Sequence, residues 1–128
     1  MNGIDWVHLF FRFDGRINRA KIWLGGIILW VVQSILILVF VRPDFGSTDD
    51  LSSSYAALSL VYLVALWPSL AIAVKRWHDR DKSGWWVLIV LIPIIGPIWA
   101  FVELGFLQGT PGDNQYGPDP LGQSAAAM

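Results

Sequence analysis

Three long apolar blocks constrain the fold of this chain more than any other feature. Residues 22–41, 55–74 and 85–107 contain 20, 20 and 23 residues, and the first two carry no formal charge. About 20 apolar residues in a helix cross the hydrocarbon core of a bilayer, and a content of 55% hydrophobic residues is high for a soluble domain. We therefore predict an all-α membrane protein, with residues 1–128 forming one domain that contains three transmembrane helices.

The segments at the two ends of the chain differ from these blocks. Within residues 4–13, the large apolar side chains Trp6, Leu9, Phe10 and Phe13 recur at helical spacing, which predicts a short helix lying in the membrane interface. Residues 108–128 are rich in Gly and Pro and predict a non-helical tail.

The first connection has a different composition again. Residues 43–54 are rich in Ser, Asp and Gly, which predicts a solvated loop whose serines at 52–54 cap the second helix. Its three carboxylates, Asp44, Asp49 and Asp50, fit a solvated loop better than a cation site.

The cations are distributed unevenly between the connections. Arg42 lies in the first connection, whereas the other eight precede the first block or lie between the second and third: Arg12, Arg16, Arg19, Lys21, Lys75, Arg76, Arg80 and Lys82. Cytoplasmic loops carry an excess of Lys and Arg. The pattern predicts a multi-pass membrane protein with a cytoplasmic N-terminus and, after three crossings, an external C-terminus.

The third block contains helix-breaking residues, Pro93, Gly96 and Pro97. They fit either one kinked helix or a re-entrant hairpin whose two ends lie on the same side. Each arm of such a hairpin would be only about 12 to 15 Å long, against a core of about 30 Å. We therefore favour the kinked span.

Polar residues within the blocks are a second candidate feature. A carboxylate inside a membrane segment usually faces a partner within the bundle, and Glu103 is the charged residue of the third block. With three crossings, the outer half of the membrane would hold Gln33, Ser59, Tyr62 and Glu103. This cluster predicts either a small-solute or proton site in an oligomeric channel or carrier, or, as we prefer, interhelical hydrogen bonding with Glu103 reaching the headgroups.

The second connection, residues 75–86, combines four cations with His78, Asp79 and three tryptophans. Arg and Lys can bind lipid phosphates while Trp lies at headgroup level. The candidate residues for binding a headgroup or a partner are Arg16, Arg19, Arg76, His78, Asp79 and Arg80. A general acid–base role for His78 with Asp79 is the weaker interpretation, because no Ser or Cys nucleophile stands in a recognisable arrangement with them.

Four motifs in order resemble a known family. They are Phe13-x-Gly15-Arg16-x-x-Arg19-x-x-x-Trp23, Arg76-x-His78-Asp79-x-x-x-Ser83-Gly84-Trp85-Trp86, Pro93-x-x-Gly96 and Gly112-x-Asn114-x-Tyr116-Gly117-x-Asp119-Pro120. The chain resembles domain of unknown function 805, a family of small bacterial inner-membrane proteins. That resemblance implies membership and no mechanism, and it singles out the tail residues Asn114, Tyr116, Gly117 and Asp119. This chain has Trp77 where the family commonly has Leu.

The tail motif also bears on the topology. If Asp119 pairs with the basic connection, both must lie on the same side of the membrane, in conflict with three crossings.

The expected function is that of a non-enzymatic inner-membrane protein whose basic, Trp-rich cytoplasmic face binds anionic lipid headgroups or a protein partner. A small oligomeric channel or carrier is the alternative, and a lipid-surface enzyme using His78 and Asp79 is the weakest. The chain has no cysteine, so a thiolate metal site is excluded. We expect no cofactor and no nucleic acid, and a homo-oligomer is compatible with the pattern.

Overall fold

The computed structural model describes residues 5–41 and 48–121, and its regular elements are helical. They are α1 (Trp6–Phe11), α2 (Arg19–Phe40), α3 (Thr48–Asp79), a 3-10 helix (Gly84–Leu91) and α4 (Ile95–Gly105). An isolated bridge joins Asn114 and Gly117 in the tail. The predicted all-α class is confirmed.

The helices α2 and α3 are long and apolar enough to cross a membrane. The 22 residues of α2 extend about 33 Å at 1.5 Å per residue. Large apolar side chains such as Trp30, Leu38 and Leu63 are exposed on these two helices, as is expected of side chains that face lipid. The two helices pack closely at Gly25, where a Cβ atom would lie 3.4 Å from Cγ2 of Ile72.

The helix α3 is longer than predicted at both ends. It begins at Thr48, so the serines at 52–54 lie within the helix and do not cap it; residues 43–47 of the predicted loop are outside the described residues. It continues through Lys75 and Arg76 to Asp79, where we predicted a connection. There it ends in a Schellman motif, with Asp81 at φ 60° and the amide of Lys82 donating to the carbonyl of Trp77 at 2.9 Å.

The third apolar block forms a hairpin, and the prediction of a kinked span over residues 85–107 is wrong. The 3-10 helix and α4 are the two arms of this apolar hairpin, residues 84–105, and each is about 16 Å long. Its two ends meet, because Lys82 before the first arm forms an ion pair with Glu103 near the end of the second. The structure therefore has two helices of spanning length and one shorter apolar hairpin.

The turn of the hairpin is closed by its own backbone. The amide of Ile95 donates to the carbonyl of Pro93 at 2.7 Å, and the amide of Gly96 donates to the carbonyl of Ile92 at 3.0 Å. Pro93 and Pro97 have no N–H to satisfy. Backbone polar groups need such partners in a hydrocarbon environment, and this arrangement supplies several of them.

The short helix α1 covers a smaller range than the predicted 4–13, and residue 4 lies outside the described part. The side chain of Asp5 caps it by accepting from the amide of His8 at 3.0 Å. Its position on α3 is fixed by Lys75, whose Nζ donates to the carbonyl of Leu9 at 2.7 Å, and by Trp67, whose Nε1 donates to the carbonyl of Phe11 at 3.0 Å. Leu9 is buried.

Candidate functional site

One end of the helix pair contains the start of α2 and the end of α3, and we call it the basic end. A buried ion triad of Arg16, Arg76 and Asp79 lies at its centre. Oδ1 of Asp79 accepts from Nε of Arg16 at 3.1 Å and lies 2.9 Å from its Nη2. Oδ2 accepts from Nη1 of Arg76 at 2.5 Å. Arg16 is 6% exposed, Arg76 0% and Asp79 4%. One carboxylate thus lies between two guanidinium groups, and the remaining donors need other acceptors because unpaired buried charges are costly.

Tail carbonyls supply the acceptors for Arg16. Its Nη1 donates to the carbonyls of Gly112 at 2.8 Å and Gly117 at 3.2 Å, and its Nη2 donates to that of Thr110 at 2.6 Å. The amide of Thr110 in turn donates to the carbonyl of Asp79 at 2.6 Å. The tail is therefore folded onto the basic end.

Arg76 connects the same triad to the apolar hairpin. Its Nε donates to the carbonyl of Leu104 at 2.7 Å, and its Nη2 donates to the carbonyl of Leu107. These two carbonyls belong to the C-terminal end of α4 and the residues just after it, where helical carbonyls lack amide partners within the helix. The triad consequently joins α3, the segment before α2, the hairpin and the tail.

The tail motif lies against His78. The rings of His78 and Tyr116 stack with centroids 4.0 Å apart and planes 3° apart, and Nδ2 of Asn114 donates to the carbonyl of His78 at 2.9 Å. Asp119 closes the tail on itself by accepting from the amide of Gly112 at 3.0 Å. Gly117 adopts φ 135°, a conformation that side chains rarely permit.

His78 and Asp79 make separate contacts. Nδ1 of His78 lies 2.9 Å from the carbonyl of Gly15, whereas the carboxylate of Asp79 is bound by Arg16 and Arg76. Asp79 therefore does not orient the imidazole as the carboxylate of an acid–base pair would.

The predicted intramembrane cluster is not assembled in this chain. Glu103 lies at the basic end, where its carboxylate pairs with Lys82 and Arg80 and accepts from Nε1 of Trp99 at 2.6 Å. Tyr62 is 17 residues before the end of α3, or about 25 Å along its axis. The expectation placed Glu103 in the outer half together with Gln33, Ser59 and Tyr62, and it fails because the hairpin turns back.

Some cations of the basic end remain accessible. Near the start of α2, Arg19 is exposed and Lys21 is half-buried, and the exposed Trp23 lies one helical turn after Arg19. The side chains of Arg80 and Lys82 are 26% and 28% exposed. Beside them Trp85 is 79% exposed, and Nζ of Lys82 lies 4.6 Å from the ring centroid of Trp86.

Two residues of this network are absent from the sequence-based set. Lys75 is completely buried and holds α1. Gly109 lies so close to Asp79 that a Cβ atom would be 2.0 Å from Oδ2. Lys75 carried a signal, since it stands in the basic connection beside Arg76, whereas the need for a glycine at 109 depends on the folded tail.

Comparisons with known proteins identify the family of the chain. A family model described as protein of unknown function (DUF805) matches residues 10–118. The chain belongs to this family. Two relatives from Escherichia coli strain K12 are inner membrane protein YhaH, 38% identical over 112 residues (84% of this chain, 86% of the relative), and inner membrane protein YhaI, 36% identical over 110 residues (84% and 85%).

A third relative from the same strain is uncharacterized protein YiiR, which is 30% identical over 133 residues, covering 85% of this chain and 86% of the relative. No solved structure gives a significant match. Together with the two helices of spanning length, the relatives make the chain an inner-membrane protein of a family whose function is unknown.

Proposed function

We propose that this DUF805 protein is a non-enzymatic membrane protein whose basic end faces the cytoplasm and binds anionic lipid headgroups. The observation that carries this proposal is the grouping of accessible cations with exposed tryptophans at one end of the helix pair. Arg19 and Lys21 lie in the first turn of α2, Trp23 follows one turn after Arg19, and Lys82 lies beside Trp86. Indoles prefer the headgroup level, and each basic residue near an anionic leaflet contributes about 1 kcal/mol.

The charge distribution supports the cytoplasmic orientation. Eight of the nine Lys and Arg residues lie at the basic end or in the segments packed on it, and the ninth is Arg42. The buried triad narrows the binding surface, because Arg16 and Arg76 are occupied by Asp79 and by backbone carbonyls. Arg19 and Lys21 are then the cations best placed to meet a lipid phosphate.

The proposed absence of enzymatic activity rests on the contacts of His78 and Asp79. Each is bound within the protein, His78 to Gly15 and Tyr116, and Asp79 to two arginines. A channel or carrier is less well supported, since Glu103 is paired with Lys82 at the basic end.

The test is lipid selectivity of the purified protein in nanodiscs of phosphatidylcholine containing a minority of phosphatidylglycerol. Lipids that remain on the protein after ejection from the disc are identified by native mass spectrometry. We expect phosphatidylglycerol to be enriched above the disc composition. In the Arg19→Gln, Lys21→Gln double variant, the enrichment should fall by about fivefold for each cation removed. The matched control is Arg12→Gln with Asp14→Asn, which removes an exposed ion pair without changing the net charge.

Two results would count against the proposal. One is retained lipids that mirror the disc composition in the unmodified protein. The other is a double variant that retains phosphatidylglycerol as well as the control does.

A further inference from the structure

An apolar groove of about 490 Å³ runs between α2 and the apolar hairpin. Trp23, Gly26 and Trp30 of α2 form one wall, and Pro97, Ala100 and Phe101 of α4 form the other. From Trp23 to Trp30 the groove covers seven residues of helix, or about 10 Å of membrane depth. The groove is therefore long enough to hold the part of an acyl chain nearest the headgroup, in a leaflet about 15 Å thick.

The groove is open over Gly26 and fixed at its sides. A Cβ atom added at Gly26 would meet no other atom within 4 Å. The indole of Trp23 is held in place, because its Nε1 donates to the carbonyl of Gly105 at 2.9 Å and its ring meets that of Phe101 edge to face at 5.9 Å. The shape of the groove is therefore already formed in the protein alone.

Arg19 lies at the mouth of the groove. It precedes Trp23, Gly26 and Trp30 by four, seven and eleven residues, which places all four on one face of α2. Its Nη1 donates to the carbonyl of Phe106 at 2.9 Å, directly after the residues that close the groove. Among the described residues, the carbonyl of Phe106 is the one hydrogen-bond acceptor of the Arg19 side chain. The side chain is exposed, so its other guanidinium N–H groups face outwards.

We infer that the groove binds one acyl chain of an anionic phospholipid whose phosphate is bound by Arg19. The occupant is identified by charge complementarity, since a guanidinium at the mouth of an apolar groove matches a phosphate attached to a hydrocarbon chain. Lipid tails are as apolar as the groove, so selectivity must come from the phosphate contact and from packing. This inference rests on the proposed function and deepens it by assigning one lipid to a defined site.

The experiment compares single-residue variants during progressive removal of lipid by detergent. Native mass spectrometry counts the phosphatidylglycerol molecules that remain on the protein. We expect the unmodified protein to retain one such molecule after the others have been lost. Gly26→Phe should fill the groove and Arg19→Gln should remove the phosphate contact, each reducing occupancy about tenfold or more.

Val32→Phe is the matched control, because Val32 is exposed on α2 and lies outside the groove. It should retain the lipid. Arg19→Lys, which keeps the charge and loses the planar fork of donors, should fall between Arg19→Gln and the unmodified protein. Thermal unfolding of each variant establishes that it is folded, so a loss of lipid can be assigned to the site.

The outcomes separate this inference from the function on which it rests. If Gly26→Phe loses the tightly held lipid while enrichment in nanodiscs persists, the groove site is supported. If Gly26→Phe retains that lipid, or if Val32→Phe loses it equally, the groove site is overturned and the headgroup-binding function stands. If the unmodified protein shows no enrichment in nanodiscs, the proposed function fails, and the site fails with it.

Discussion

Lys82 and Glu103 form an ion pair although 21 residues separate them along the chain. A straight helix would place these residues about 31 Å apart, roughly the thickness of the hydrocarbon core. The pair therefore requires the apolar block between them to enter and leave on the same side. The tail that follows reaches Arg16 for the same reason.

This relationship predicts the side of the membrane on which the tail lies. The chain has no cysteine, so single cysteines can be introduced at the exposed Arg12 and Gln115 and at Val41 beyond the end of α2. With an impermeant maleimide, Arg12→Cys and Gln115→Cys should react in inside-out vesicles, and Val41→Cys should react in intact spheroplasts. Reaction of both Gln115→Cys and Val41→Cys in intact spheroplasts would contradict the hairpin and support three crossings.

The buried triad predicts a large cost for removing its carboxylate. Asp79→Asn leaves two buried guanidinium groups without their counter-ion, which costs about 3–5 kcal/mol of unfolding free energy. Denaturant titration in mixed micelles measures this cost.

The exposed ion pair of Arg12 and Asp14 supplies the control, because Asp14→Asn should leave the denaturation midpoint nearly unchanged. Equal effects at the two aspartates would show that the triad is not buried in the folded protein.

The close packing of the two hairpin arms predicts which glycine of the membrane segments cannot be replaced. A Cβ atom at Gly96 would lie 1.8 Å from the carbonyl oxygen of Ile89, whereas one at Gly26 meets nothing within 4 Å. Gly96→Ala must therefore separate the arms and should lower the thermal stability by more than about 2 kcal/mol. Gly26→Ala should be neutral or stabilise α2 by up to about 1 kcal/mol, as alanine favours the helix.

The comparison is made by unfolding both variants in the same detergent. Equal midpoints for Gly96→Ala and Gly26→Ala would contradict the close packing of the 3-10 helix against α4.

Length and charge predicted the helices α2 and α3 from the sequence, because spanning a membrane is a local property of about 20 residues. The third block could not be assigned in this way. Pro93 and Pro97 are compatible with a kink and with a turn, and the choice depends on contacts between distant residues, such as Lys82 with Glu103 and Arg76 with Leu104. A pattern of residue types does not contain those contacts.

The basic end, too, could be predicted only in part from the sequence. The sequence located Arg16, Arg76 and Asp79 in one region, but it predicted a surface, and the structure buries all three. Their burial depends on the tail, whose carbonyls at Gly112 and Gly117 receive the donors of Arg16. The family resemblance singled out the tail motif but did not decide on which side of the membrane the tail lies.

The hairpin turn gives the last prediction, since Ile94 has φ 68° and ψ −61°. This is the strained form of the γ-turn, closed by the amide of Ile95 on the carbonyl of Pro93. A β-branched residue is unfavourable at positive φ, by about 1–2 kcal/mol, whereas glycine adopts it readily. After allowance for the greater freedom of glycine in the unfolded chain, Ile94→Gly should stabilise the protein by about 0.5–1 kcal/mol.

The neighbouring Ile95→Gly, within the first turn of α4, should instead destabilise it by about 0.5–1 kcal/mol. Both side chains are exposed, so loss of packing contributes little to either value, and opposite shifts of the unfolding midpoint identify the positive φ as the cause. Two shifts of the same sign would mean that Ile94 does not adopt this turn in the membrane.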